Sequence, residues 1–214
     1  MIDRSMITYE DVDNELQSTI DEIFANDDSR PLSLYQKRNR IFRYLTKSIS
    51  YDFDKLEQIR STAEGGKRYG RNLQKEFQSV VFKKIGICNA ISQFYKLLLE
   101  KVGIKAFCVI CDDGTSVFHQ LNLVYDNEND CYSFDDVTSV IVGRGTEEEY
   151  FDYDLDFAHS VNQGNREVLD NQNYIILWEK IVNFAAMRGS SPYKTPEHLP
   201  SNINSIKSSG LTCD

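Results

Sequence analysis

At 214 residues the chain is long enough to bury a substantial core and sits near the upper end of one ordinary domain. Hydrophobic residues make up 41% and aromatics 12%, with both charge signs spread along the chain, the composition of a folded globular protein rather than a disordered one. A formal net charge of -9 repels nucleic-acid phosphates and anionic lipid, so neither nucleic acid nor a membrane is expected as a partner.

The first half reads as helices. From Thr8 to about Phe24, the residues Val12, Leu16, Ile20, Ile23 and Phe24 recur at helical spacing, and Thr8 with Asp11 resembles a capping arrangement. A second amphipathic helix runs from about Ser33 to Ile49, with Ile41, Phe42, Leu45 and Ile49 as its apolar stripe and its Arg and Lys residues on the wet face. A third spans about Leu73 to Phe82. Between the second and third, the stretch SISYDFDKLEQIRSTAEGGKRYGR is polar and Gly-bearing and reads mostly as surface loop.

From Cys88 to Val102, the positions Cys88, Ile91, Tyr95, Leu98 and Val102 keep a helical step that Gly103 stops. Three strands follow: Ile104 to Cys111, Val117 to Tyr125 and Cys131 to Val137. They are divided by DDGTS and DNEND, turn chemistry short enough to favour antiparallel neighbours. A late helix near Tyr174 to Ala186 carries Trp178, and a Ser, Pro and Asn-rich tail from about Gly189 is expected to be loosely held. The expected organisation is one domain over 1–188 with a flexible tail over 189–214. Within it lie an N-terminal helical part to 50, a core over about 45–142 and a C-terminal helical part over 143–188.

Thiol acyl transfer needs an ionised cysteine, an imidazole to pair with it, and an acceptor that fixes the imidazole's tautomer. Cys88 opens a helix, where unsatisfied N–H groups and the macrodipole favour a thiolate, although a lone cysteine is more often a small buried packing residue. His119 lies in a strand that puts it on one face with Val117, Leu121, Leu123 and Tyr125, the setting of a satisfied core histidine or of a base kept dry. In the next strand Asp136 shares the aromatic face of Tyr132 and Phe134, while Asp135 goes with Ser133 toward water. On that facing Asp136 is the partner for His119, and Asp135→Asn is expected to be nearly neutral.

The stretches GICNAISQFYKLLLEKVGI, FHQLNLV and YSFDDVTS together resemble the core of transglutaminase-like, papain-related cysteine enzymes. The matching residues are Gly86, Cys88, Ala90, Ser92, Leu97, Leu98, Gly103 and Ile104, then His119 with Asn122, then Asp136 with Thr138, and the upstream pair Tyr51 and Asp52. Leu121 departs from a position that is often tryptophan. The resemblance implies an α+β papain-like fold, with N-terminal helices and a catalytic helix packed on an antiparallel sheet. It also implies Cys88 as nucleophile, His119 as base and Asp136 as orienting residue, acting on a peptide or protein substrate through a thioester.

Hydrolysis is favoured over amine transfer, with a protein-glutamine transglutaminase or deamidase, or a non-catalytic binding module, as alternatives. The Cys88 backbone N–H is the expected oxyanion donor, and Tyr51 a candidate for a side-chain one. No cofactor is called for. A zinc site from Cys108, Cys111, Cys131 and His119 is set aside, because CVIC sits in a strand whose alternation turns its two thiols apart. A calcium site in the acidic stretch from Glu147 to Asp156 is set aside for lack of ordered oxygen spacing, which leaves a solvated face or a lip favouring basic substrates. His159 and His198 are expected at the surface. The start lacks a basic segment followed by an apolar one, and five cysteines leave at least one unpaired, so a reducing, cytoplasmic setting is expected.

Overall fold

A computed structural model of the chain describes residues 7–25, 31–61, 73–112, 118–127 and 131–153. The expected helix at Tyr174 to Ala186, His159, His198 and the tail lie outside the described residues. Helix α1 (Tyr9–Phe24) starts at a capping box: Thr8 Oγ1 accepts from the Asp11 N–H at 3.1 Å, and Asp11 Oδ2 accepts from the Thr8 N–H at 2.8 Å. Helix α2 (Leu34–Ser48) begins the same way at Ser33 and Gln36, and it buries Ile41, Phe42 and Leu45. Its Arg38 is buried as well, contrary to the wet face expected for the arginines of this helix.

The segment expected to be loop instead holds β1 (Ser50–Tyr51) and α3 (Phe53–Ser61). Asp52 is the cause: its side chain accepts from the Lys55 N–H at 2.9 Å and its carbonyl from the Leu56 N–H, so it caps the helix that follows. After α4 (Leu73–Lys83) comes β2 (Ile85–Gly86), which pairs parallel with β1 and sets Tyr51 beside Gly86. A Cβ at Gly86 would meet the Val80 side chain at 3.1 Å, so any larger residue would press the strand against α4.

Helix α5 (Cys88–Lys101) is buried at every position from Cys88 to Leu99, polar residues included, because it runs between the N-terminal helices and the sheet. It ends at Gly103, whose φ of +84° allows the left-handed turn in which the Ile104 N–H reaches Leu99 O at 2.9 Å. The sheet is antiparallel, in the order β3 (Ala106–Asp112), β4 (Phe118–Asp126) and β5 (Cys131–Asp135), with Asn122 opposite both Cys108 and Asp135.

The third strand therefore stops two residues before the expected Val137. Asp136 leaves the ladder to cap α6 (Val137–Ile141), its Oδ1 accepting from the Ser139 N–H at 3.0 Å. A short α7 (Glu147–Tyr150) follows, and Tyr153 then returns to bridge Phe134. No described helix is long and apolar enough to cross a membrane.

Candidate active site

The start of α5 is the natural place to look for chemistry. Its N-cap, Ile87, has no side chain able to cap, so the first-turn N–H groups and the positive end of the helix are left for another ligand. Cys88 is the first residue of that turn and is 6% exposed. A polar lattice ties the turn to the sheet. Ser92 Oγ donates to Cys88 O at 2.8 Å, Gln120 Nε2 donates to Ser92 Oγ at 2.6 Å, and Asn122 Nδ2 donates to Ser92 O at 3.0 Å. These bonds fix β4 against the first two turns of α5. They therefore fix the distance between the nucleophile candidate and whatever β4 carries one residue before Gln120.

That residue is His119. Its Nε2 lies 2.7 Å from Asp136 Oδ2, and the Cys88 thiol lies near enough to the ring to act on its charge. With Nε2 committed to the carboxylate, Nδ1 is the nitrogen left for sulfur. Burial opposes the charged imidazole, but the Asp136 carboxylate outweighs it and, with the thiol's help, pushes the His119 pKa up to about 10. Asp136 shifts the other way: burial raises it, and the His119 charge, the imidazole bond and the two Ser139 donors together hold it below the usual carboxylate range.

The sign of the stability effect follows from these directions. The raised histidine contributes stability that is complete below the free imidazole value of about 6.5 and is lost as pH rises through about 10. The lowered aspartate contributes stability present above its ordinary value and lost only in acid. Urea unfolding between pH 6.5 and 10 should therefore fall more steeply for the wild type than for His119→Gln. Parallel slopes would mean that the pair does not carry charge in the folded state.

Tyr51 reaches the same helix start from β1, with its hydroxyl near the Cys88 backbone N–H; burial, then the neighbouring Cys88 charge, hold its phenol well above the ordinary range. The oxygen thus stands at the donor an oxyanion would need. Phe53, 59% exposed, packs edge-on to the Tyr51 ring with centroids 4.9 Å apart.

Asp135 does not face water, as expected from strand alternation; it is 0% exposed. Arg38 donates to it twice, Nε to Oδ2 and Nη2 to Oδ1, each at 2.7 Å, and Tyr95 Oη donates to Oδ2 at 2.6 Å. Both faces of β5 are covered, so alternation along it separates one buried environment from another rather than a dry face from a wet one. Ser133, on the Asp135 side, is also buried and accepts from Arg38. The residue that sequence reading missed is Arg38, one of three arginines on α2 and the one turned inward beside the apolar stripe.

Among the described residues, no group of three or more metal-ligating side chains is placed to hold an ion. Cys108 is a buried thiol that donates to Gln93 Oε1 at 3.3 Å. The acidic stretch is consumed locally as far as it is described. Glu147 and Glu148 pair with Arg43, Glu149 caps the Thr146 N–H, and Asp152 pairs with Arg38.

No family model and no curated protein matches the sequence. The fold is similar to a crystal structure of a TGase, with a TM-score of 0.50 at 20% identity, covering 64% of this chain and 35% of that one. The likeness therefore shows a shared α+β fold, and the chain spans about a third of that protein's length.

Proposed function

We propose that the chain is a cysteine-dependent acyl-transfer enzyme that hydrolyses a peptide or amide substrate through a thioester. The observation that supports this reading is the His119 imidazole held by Asp136 at Nε2 and lying beside the Cys88 thiol, at a helix start with no side-chain cap. The thiolate attacks the carbonyl carbon, and the oxyanion accepts from the Cys88 backbone N–H once the Tyr51 hydroxyl has moved aside. Collapse forms the thioester and expels the amine, which takes its proton from His119 Nδ1. Water then attacks the thioester as His119 removes its proton. The carboxylic acid leaves, and Cys88 regains its thiol.

Water is favoured as acceptor because it is the bulk solvent, and an amine wins only where a site binds it and keeps solvent out. The test is mass spectrometry of a peptide pool incubated with and without a primary amine, with Cys88→Ala as the blank. New termini or carboxamides converted to carboxylates, absent from the blank, are the expected result. Amine adducts in place of hydrolysis would move the acceptor from water to amine. A product pattern identical to the blank would end the catalytic reading and leave a binding module on this fold.

A further inference from the structure

The charge around this site has a feature that composition conceals. In a chain of net charge -9, Arg144 is exposed, and among the described residues no carboxylate lies within ion-pair distance of it. Nearby carboxylates exist, but each is engaged: Glu147 and Glu148 on Arg43, Glu149 on the Thr146 N–H, and Asp136 on His119 and Ser139.

The arginine's position is fixed by the backbone. The Gly143 N–H bonds Val140 O at 3.0 Å and the Arg144 N–H bonds Ser139 O at 2.9 Å, with Gly143 at a φ of +75°. These bonds make a helix-terminating turn of the kind that only glycine adopts without strain. It closes α6, the helix whose other end is Asp136 and which packs against the β1 strand bearing Tyr51. Arg144 thus belongs to the same rigid unit as the residue on His119. Its charge reaches the Tyr51 hydroxyl at the Cys88 N–H and the Tyr150 hydroxyl beside Ser139. Arg60 also reaches Tyr51 but is paired with Glu57 at 3.2 Å.

An unpaired guanidinium at the end of the helix that Asp136 caps, in a protein that otherwise repels anions, is a recognition element for a carboxylate. We infer that Arg144 selects substrates carrying a carboxylate within a residue or two of the scissile carbonyl, either an acidic side chain or a free peptide C-terminus. This replaces the basic-substrate lip that the run of glutamates suggests. It rests on the acyl-transfer reading for its location, and its test is separable from that reading.

The experiment uses Cys88→Ala protein, which binds without turnover, and fluorescence anisotropy with labelled peptides of matched sequence. One peptide carries Glu with an amidated terminus, one Gln with a free terminus, one Gln with an amidated terminus and one Lys. Expected is about 2- to 5-fold tighter binding of at least one carboxylate peptide over the neutral one, the range of an exposed ion pair. The Glu and free-terminus arms identify which carboxylate is read. The preference should vanish in Arg144→Gln, weaken with salt, and invert toward Lys in Arg144→Glu. Both variants change an exposed side chain, so their melting curves should overlay that of Cys88→Ala.

A carboxylate preference that survives Arg144→Gln would overturn the inference, as would equal binding of all four peptides or binding of none. If the preference appears and wild-type protein leaves the bound peptide intact, carboxylate recognition stands and acyl transfer falls.

Discussion

Asp135→Asn should destabilise the protein by about 3–5 kcal/mol, the cost of breaking one partner out of a buried ion pair. Arg38 is 2% exposed, and its guanidinium is satisfied by two bonds to Asp135, one to Ser133 Oγ and one to Asp152 Oδ1. An asparagine offers one acceptor where the carboxylate offers two and carries no charge, so the buried cation loses its nearer counter-ion and one arm of its fork. Two further donors are affected: the Tyr95 hydroxyl at 2.6 Å and the Asp152 N–H at 2.8 Å both use Asp135 oxygens. For a chain of this size the loss corresponds to a fall in Tm of roughly 6–20 °C. Calorimetry measures it directly. Combining Asp135→Asn with Arg38→Met removes the stranded charge and should recover a large part of the loss. A single variant melting within about 2 °C of wild type would show that Asp152 alone compensates Arg38.

That cluster also marks where sequence reading stops. Periodicity located α1, α2 and α5, and turn chemistry separated the strands, because each signal is carried by residues within a few positions of one another. Cys88, His119 and Asp136 were singled out by helix-start chemistry, strand position and resemblance, and the structure brings their side chains together. Arg38 and Asp135 meet across 97 positions, and neither carries a local sign that it is buried. The hidden α3 is a different case. Asp52 capping Lys55 is a local signal, but the glycines and charges downstream of it made the whole stretch look like loop. Asp135 was misjudged through its strand. Alternation assigns a wet and a dry face only when one face is wet, and on β5 Ser133 and Phe134 are each 1% exposed.

Asp136→Asn should lower turnover by at least ~10-fold while leaving the fold largely intact, and the reason lies in how many acceptors the position must supply. Oδ1 accepts the Ser139 backbone N–H at 3.0 Å and so caps α6; Oδ2 accepts the Ser139 hydroxyl at 2.6 Å and faces His119 Nε2 at 2.7 Å. A carboxylate does both, whereas an amide has one acceptor end. If the asparagine turns its oxygen to the cap, its NH₂ points at His119 and forces the proton onto Nδ1, the nitrogen needed for sulfur. If it turns its oxygen to His119, two N–H donors oppose each other at the cap, and the helix loses about 1 kcal/mol. The first outcome costs rate and the second costs stability. In serine enzymes the wrong tautomer costs up to ~10⁴ in rate; a smaller loss is expected here because a thiolate–imidazolium pair forms partly without the carboxylate. Ser139→Ala separates the two roles: it removes the hydroxyl, keeps the backbone donor, and should shift the pH profile of turnover with a much smaller drop in rate than Asp136→Asn. Turnover of Asp136→Asn equal to wild type, with its melting temperature unchanged, would mean that the imidazole is oriented by something other than this carboxylate.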